Sequence, residues 1–169
     1  MDPTSLHIAA VVPAYNEEES IRVVVADVIR SLERLGFRPE VIVVNDGSTD
    51  GTASAVRPLP CVLLSLPFNV GKGAATQLGF RYTYARGCDV VVLVDADGQH
   101  PADEIGTLLE PLIEGSADVV IGSRFLATGG SRSTFYRRIG INYLNALNGM
   151  LLRRRVTDST SGFLSLIHI

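Results

Sequence analysis

At 169 residues, 46% of them hydrophobic and 20% charged, the chain has the length and balance of one globular domain, which excludes a disordered tail or a fibrous protein. Its net charge of −3 removes any global electrostatic case for binding nucleic acid. No apolar run reaches the ~18 residues of a membrane span, and the polar residues 1–5 do not read as a secretory leader. Cys61 and Cys88 lie in apolar surroundings and read as buried thiols in a reducing compartment rather than as a disulfide.

Residues 8–13 are an apolar run of strand length ending at Pro13, followed by Tyr15, Asn16 and the triplet Glu17, Glu18, Glu19. Asn16 is in place to cap a helix, with Glu19 as its capping-box partner three residues on. Ile21, Val24, Val25, Val28, Ile29 and Leu32 then recur at helical spacing as far as Gly36. Carboxylates in a first turn favour the helix dipole, so Glu18 and Glu19 read as structural. Residues 41–44 form the second expected strand and run into Asn45-Asp46-Gly47-Ser48-Thr49-Asp50-Gly51-Thr52, a polar turn where open α/β sheets hold their ligands. Asp46 is the residue best placed to meet one, whereas Asp50 reads as the cap of a short helix. After a third strand at 61–64, Asn69-Val70-Gly71-Lys72-Gly73 opens a helix to about residue 86. Lacking the first glycine and the following Ser or Thr, this is not a Walker A loop, but Lys72 can still reach a phosphate at the helix amino end.

Residues 90–94 are β-branched almost throughout and suit a strand buried on both faces. They deliver Asp95 and Asp97. In extended chain such residues share a side, about 6.6 Å apart, and can converge on one cation. Gly98 turns the backbone away and Gln99 adds a neutral oxygen. Hard oxygen donors without a thiolate or histidine pair favour Mg²⁺ or Mn²⁺ over zinc. The same aspartates equally suit a plain turn before Pro101, and a D-x-D pattern alone does not choose.

Pro101 starts a helix to about residue 114, and a strand at 118–122 ends in Ser123-Arg124. Arg124 there is either an anion clamp or a salt-bridge partner of the aspartates. Residues 127–133 form a Gly/Ser/Thr loop, and the helix expected at 135–152 carries Arg137 and Arg138 in its first turn, where they oppose the dipole unless an anion sits nearby. With Arg132, Arg153, Arg154 and Arg155 they make the last third basic, suiting a phosphate, an anionic membrane surface or simply a solvated face. Strand and helix alternate throughout, which implies an α/β fold with a mostly parallel sheet and helices on both faces. The Gly-x-Gly-x-x-Gly fingerprint is missing after the first strand, which disfavours a dinucleotide cofactor.

The blocks PAYNEEE, VNDGSTDGT, NVGKGAA, VDADGQHP, IGSRF, RRIG and VTDSTSGF, in that order between residues 8 and 163, resemble the inverting GT-A glycosyltransferases of family two. Among these the chain is most similar to polyprenyl-phosphate glycosyltransferases of the dolichol-phosphate mannose synthase type. The resemblance implies a Rossmann-like GT-A fold and transfer of a sugar from a GDP- or UDP-sugar to a dolichyl or undecaprenyl phosphate at the cytoplasmic membrane face. It implies that Pro13, Tyr15 and Glu17 hold the donor, whose phosphate Lys72 is placed to reach, that Asp46 meets its base, and that Asp95, Asp97 and Gln99 bind Mg²⁺ or Mn²⁺. Arg124, Arg137 and Arg138 would receive the acceptor phosphate, and Asp158 falls in a block supporting that side. Asn45 stands where many relatives carry an aspartate.

Two other functions fit the fold: a hydroxyl-directed polysaccharide transferase, which needs a general base and commonly shows a Q-x-x-R-W block, and a non-catalytic nucleotide-sugar binding module. The chain has no Trp. After Phe163 it continues as LSLIHI, where relatives usually continue with an arginine and a further helix. That hexapeptide is what a common sequencing-library transposon adapter encodes in frame. The expectation is therefore a catalytic domain at 1–163, truncated at its C-terminal side, with a non-native tail at 164–169 and any membrane anchor lost downstream.

Overall fold

The computed structural model describes residues 6–99, 101–122 and 163–167. Its centre is β1, Ile8–Ala14, buried at all seven positions. Parallel neighbours lie on both sides: β2 (Glu40–Asn45) on one and β4 (Val90–Leu93) on the other, with β3 (Val62–Ser65) parallel to β2 at the outer edge. A strand so enclosed has no solvent face, hence the continuous apolar runs in β1, β2 and β4.

Alternate residues of these strands feed two cores, as the period of two requires. Ala10 and Val12 of β1, Val41 and Val43 of β2, and Val90 and Val92 of β4 join α1 (Ile21–Arg34) and α4 (Ile105–Ile113) on one face. Ala9, Val11, Ile42, Val44, Val91 and Leu93 meet α3 (Lys72–Ala85) on the other. A Cβ on Gly79 of α3 would lie 2.4 Å from Val11 Cγ1, so this helix rests directly on the strand. A five-residue helix, α2 (Thr52–Val56), follows the loop after β2.

The apolar periodicity predicted for α1 holds, with Ile21, Val24, Val25, Val28 and Leu32 all buried and Gly36 in the left-handed region beyond its end. Its start differs from expectation. The helix begins at Ile21 after Ser20, without a side-chain cap, and Asn16 takes a positive φ of 54°. Instead of capping, Asn16 Oδ1 accepts the amide of Thr49, a contact across 33 residues that outweighs the local one.

The sheet order is β3-β2-β1-β4-β6-β5. β5 (Val119–Ile121) runs parallel to the first four strands, and β6 (Leu164–Ile167) enters antiparallel between β4 and β5. The sheet is therefore mostly parallel with one reversed strand. Residues 164–167, expected to be foreign to the protein, form β6. A strand slot is set by backbone pairing and alternation rather than by residue identity, and Ser165, at the fully buried position, donates its hydroxyl to the Leu108 carbonyl at 2.8 Å. The TSGF block ends in Phe163, 1% exposed in the core, whose carbonyl accepts the Gly122 amide at 2.8 Å.

Candidate active site

From β1 the chain goes outward to β2 and β3, then returns to place β4 on the opposite side of β1. The carboxyl ends of β1 and β4 thus flank the point where strand order reverses, the crevice in which open α/β sheets bind ligands. A cavity of about 320 Å³ opens there, lined by Pro13, Ala14, Tyr15 and Glu17 after β1, Asp46 after β2, Asn69, Gly71, Lys72 and Ala75 at the start of α3, and Asp95, Ala96 and Asp97 after β4. Its volume suits a small polar molecule.

Reciprocal bonds hold its first wall. The amides of Asn16, Glu17 and Glu18 donate to Ser48 Oγ, Thr52 Oγ1 and Asp50 Oδ2, and the Gly51 amide donates back to Glu18 Oε2 at 2.6 Å. Glu18 is thus structural, through the Gly51 amide rather than through the helix dipole, since α1 begins only at Ile21 with no acid in its first turn. Asp50 also accepts the Thr52 amide and hydroxyl, which makes it a turn residue just ahead of α2 rather than its expected cap, a position that Gly51 takes without a side-chain bond. Desolvation alone would raise the Asp50 carboxyl, but the hydrogen bonds from Thr52 and from the Glu18 amide outweigh it and hold it below its ordinary value. Glu17 Oε2 accepts the Ser20 hydroxyl at 2.9 Å, and Tyr15 is 45% exposed over the cavity.

Asp46 is 2% exposed, and its two carboxylate oxygens accept the amides of Val70 and Gly71, each at 2.9 Å. It therefore fixes the turn that launches α3. Gly71, at φ 96°, takes a conformation few other residues adopt, and Lys72 comes next as the first residue of the helix. The Lys72 ammonium lies 2.5 Å from Asp95 Oδ1.

The aspartate pair sits otherwise than the extended-chain reading placed it. β4 stops at Leu93, and Ala96 to Gly98 form a turn, with Gly98 at φ 71°. The pair therefore meets at one cavity by the bend rather than by strand alternation, Asp95 being largely buried and Asp97 exposed. Gln99 donates its amide to Asp97 Oδ1 at 3.0 Å but does not line the cavity. Arg124, Arg137, Arg138 and Asp158, with the loop at 127–133 and the helix expected at 135–152, lie outside the described residues.

Asp95 Oδ1 is buried, and its partner among the described residues is the Lys72 ammonium, so a cation already stands where a metal would bind. Four carboxylates, Glu17, Asp46, Asp95 and Asp97, and neither sulfur nor imidazole line the cavity, a donor set that fits a hard divalent cation such as Mg²⁺ or Mn²⁺. A second group of ligand-type atoms, from His7, Glu40 and Cys88, lies at the opposite end of the strands and has no part in this cavity.

The model of the Glycosyl transferase family 2 domain matches residues 9–168. The chain belongs to that family. A dolichyl-phosphate beta-glucosyltransferase of Trichomonas vaginalis is 34% identical over 96% of this chain and 54% of its own length. A polyprenol monophosphomannose synthase of Mycolicibacterium smegmatis is 31% identical over 90% of this chain and 58% of its own. Among solved structures, glucosyl-3-phosphoglycerate synthase from Mycobacterium tuberculosis with phosphoglyceric acid superposes with a TM-score of 0.72 at 30% identity, covering 96% of this chain and 57% of that one. The same enzyme with Mn²⁺ and UDP-glucose gives a TM-score of 0.68 at 26% identity. The chain thus spans little more than half the length of these relatives, and its mostly parallel sheet is the GT-A architecture of the family 2 transferases.

The sequence singled out Pro13, Tyr15, Glu17, Asp46, Lys72, Asp95 and Asp97, and the fold brings all seven to one cavity. Asn69 and Gly71 were not singled out. Their signal was the Asn-Val-Gly-Lys-Gly turn itself, read only for its lysine.

Proposed function

We propose that the protein transfers a sugar from a GDP- or UDP-sugar to a polyprenyl phosphate, with inversion at the anomeric carbon. The reading rests chiefly on the buried Asp95 carboxylate at the switch-point cavity, beside Asp97 and paired with the Lys72 ammonium. The names of the curated relatives support a lipid-phosphate acceptor, and the Mn²⁺ and UDP-glucose complex of the mycobacterial enzyme supports a metal-bound donor.

In this reading Tyr15 and Glu17 line the donor pocket beside Pro13, and Asp46, whose oxygens are taken by the Val70 and Gly71 amides, shapes the turn beside the donor rather than hydrogen-bonding its base. Asp95 and Asp97 would hold Mg²⁺ or Mn²⁺, which would offset the charge gathering on the departing diphosphate, with Gln99 bracing Asp97 through its backbone amide. Lys72 adds a positive group on the same side. An acceptor phosphate oxygen attacks the anomeric carbon opposite the leaving group, and the electrons of the broken C–O bond pass to the diphosphate. A phosphate monoester, with a second pKa of about 6, arrives ionised at neutral pH and needs no general base. Arg124, Arg137 and Arg138 would receive it at the membrane surface. No helix among the described residues is long and apolar enough to cross a bilayer.

The deciding experiment incubates full-length protein and Mn²⁺ with each of several nucleotide sugars and a short-chain polyprenyl phosphate, and measures nucleoside diphosphate together with the glycolipid. Release only in the presence of lipid phosphate supports the reading. Release with a sugar hydroxyl acceptor instead favours the polysaccharide transferase, and donor binding without release a non-catalytic module.

A further inference from the structure

At the amino ends of the same strands, far from the donor cavity, three residues from three chain segments converge. His7 precedes β1, Glu40 begins β2 and Cys88 lies just before β4. Their side-chain ligand atoms all lie within 4.8 Å of one another. His7 Nε2 is 2.5 Å from Glu40 Oε2 and 3.7 Å from Cys88 Sγ. We propose that His7, Glu40 and Cys88 form a structural transition-metal site, suited to Zn²⁺, that ties together the starts of the three central strands.

The chemistry on the page favours an ion over a plain His–Glu pair. Nε2 carries at most one proton, yet it faces a carboxylate and a thiol at once, so a hydrogen bond serves only one of them. A divalent ion serves all three. Zinc bonds of about 2.0 Å to nitrogen and 2.3 Å to sulfur give a tetrahedral N···S edge of roughly 3.6 Å, close to the 3.7 Å found here. The N···O edge would open from 2.5 Å to about 3.4 Å as the ion replaces the shared proton. The His7 side chain, 38% exposed, is free to make that shift.

The surroundings also prepare the ligands. Arg86 Nε sits 3.3 Å from Glu40 Oε1, occupying that oxygen and leaving Oε2 turned to His7. Asp89 Oδ2 accepts the His7 amide at 2.8 Å and holds the backbone in place. Such outer partners set ligand orientation at metal sites. Cys88, 4% exposed, places its sulfur at the inner side of the cluster, leaving the outer side for a water as fourth ligand. Nothing in this arrangement depends on sugar transfer.

The test uses the whole protein, stripped with a chelator and titrated with Co²⁺ alone and then Zn²⁺ alone. The expected result is one equivalent of Co²⁺ with a sulfur-to-metal charge-transfer band, which the carboxylates of the donor cavity cannot produce. Zn²⁺ should displace it, slow alkylation of Cys88 at least tenfold and raise the thermal midpoint. Asp97→Ala and Cys61→Ser should keep the band, while His7→Gln and Cys88→Ser should lose it. Because His7 is partly exposed, its variant folds even if Cys88→Ser disturbs the core. Absence of the band in the wild type, or its persistence in His7→Gln, overturns the proposal.

Discussion

The Lys72 ammonium lies 2.5 Å from Asp95 Oδ1, so the protein's own cation stands at the oxygen best suited to a metal. Lysine as the first residue of a helix opposes the macrodipole, and Asp95 compensates it. Metal and lysine therefore compete until donor phosphates give the lysine another partner. Lys72→Gln should bind Mn²⁺ roughly fivefold to tenfold more tightly without nucleotide, a modest gain because the lysine is half exposed and screened. The same change should lower kcat/KM for the donor. Electron paramagnetic resonance of free Mn²⁺ measures the first effect and nucleoside diphosphate release the second; unchanged Mn²⁺ affinity would exclude the competition.

Asp46 spends both oxygens on the amides of Val70 and Gly71. Asp46→Ala leaves two donors without their acceptor, costing about 1–3 kcal/mol of stability. Because the freed turn presents Lys72, the donor KM should also rise. Urea unfolding and donor-dependence curves test the two parts separately.

Asp97 is exposed and takes part in little packing. Asp97→Ala should change folding stability by no more than about 0.5 kcal/mol, while metal-dependent turnover falls on the order of a hundredfold or more. A large loss of stability in urea titrations would make its role structural instead.

Burial, aided by the Glu40 charge and opposed by Arg86, pushes the Cys88 thiol up to about 11 from an ordinary 9.0. A raised value means that the folded state holds the proton more firmly, so this contribution to stability is intact below pH 9 and is lost as pH climbs toward 11. In metal-free protein, Cys88 should react with iodoacetamide at pH 8 roughly a hundredfold more slowly than an ordinary thiol, from its smaller thiolate fraction alone. The urea midpoint of the wild type should fall more steeply between pH 9 and 11 than that of Cys88→Ser.

What the sequence made legible was what repeats locally. β1, β2 and β4 announced themselves as apolar runs, and α1 by its spacing, because burial on two faces or one leaves that imprint. Most of the cavity residues were legible because they lie at or just beyond the end of a strand, whereas Lys72 was read from the turn that opens α3. Contacts across distant residues were not: Asn16 abandoned its expected cap for Thr49, and the Lys72–Asp95 pair joins segments with no common pattern. Extended geometry was assumed for Asp95 and Asp97, but the turn begins beyond Leu93. The antiparallel insertion of β6 left no trace, since period two does not encode direction. The His7, Glu40 and Cys88 cluster escaped for a related reason: each belongs to a different strand start, and only the register aligns them.

The reversed strand also bears on how the chain is made. β4 and β5 are synthesised well before β6, yet each pairs with β6 rather than with the other. Until β6 is in place, β4 and β5 each keep a free row of amides and carbonyls, the kind of edge that recruits neighbouring chains. β6 closes both edges at once.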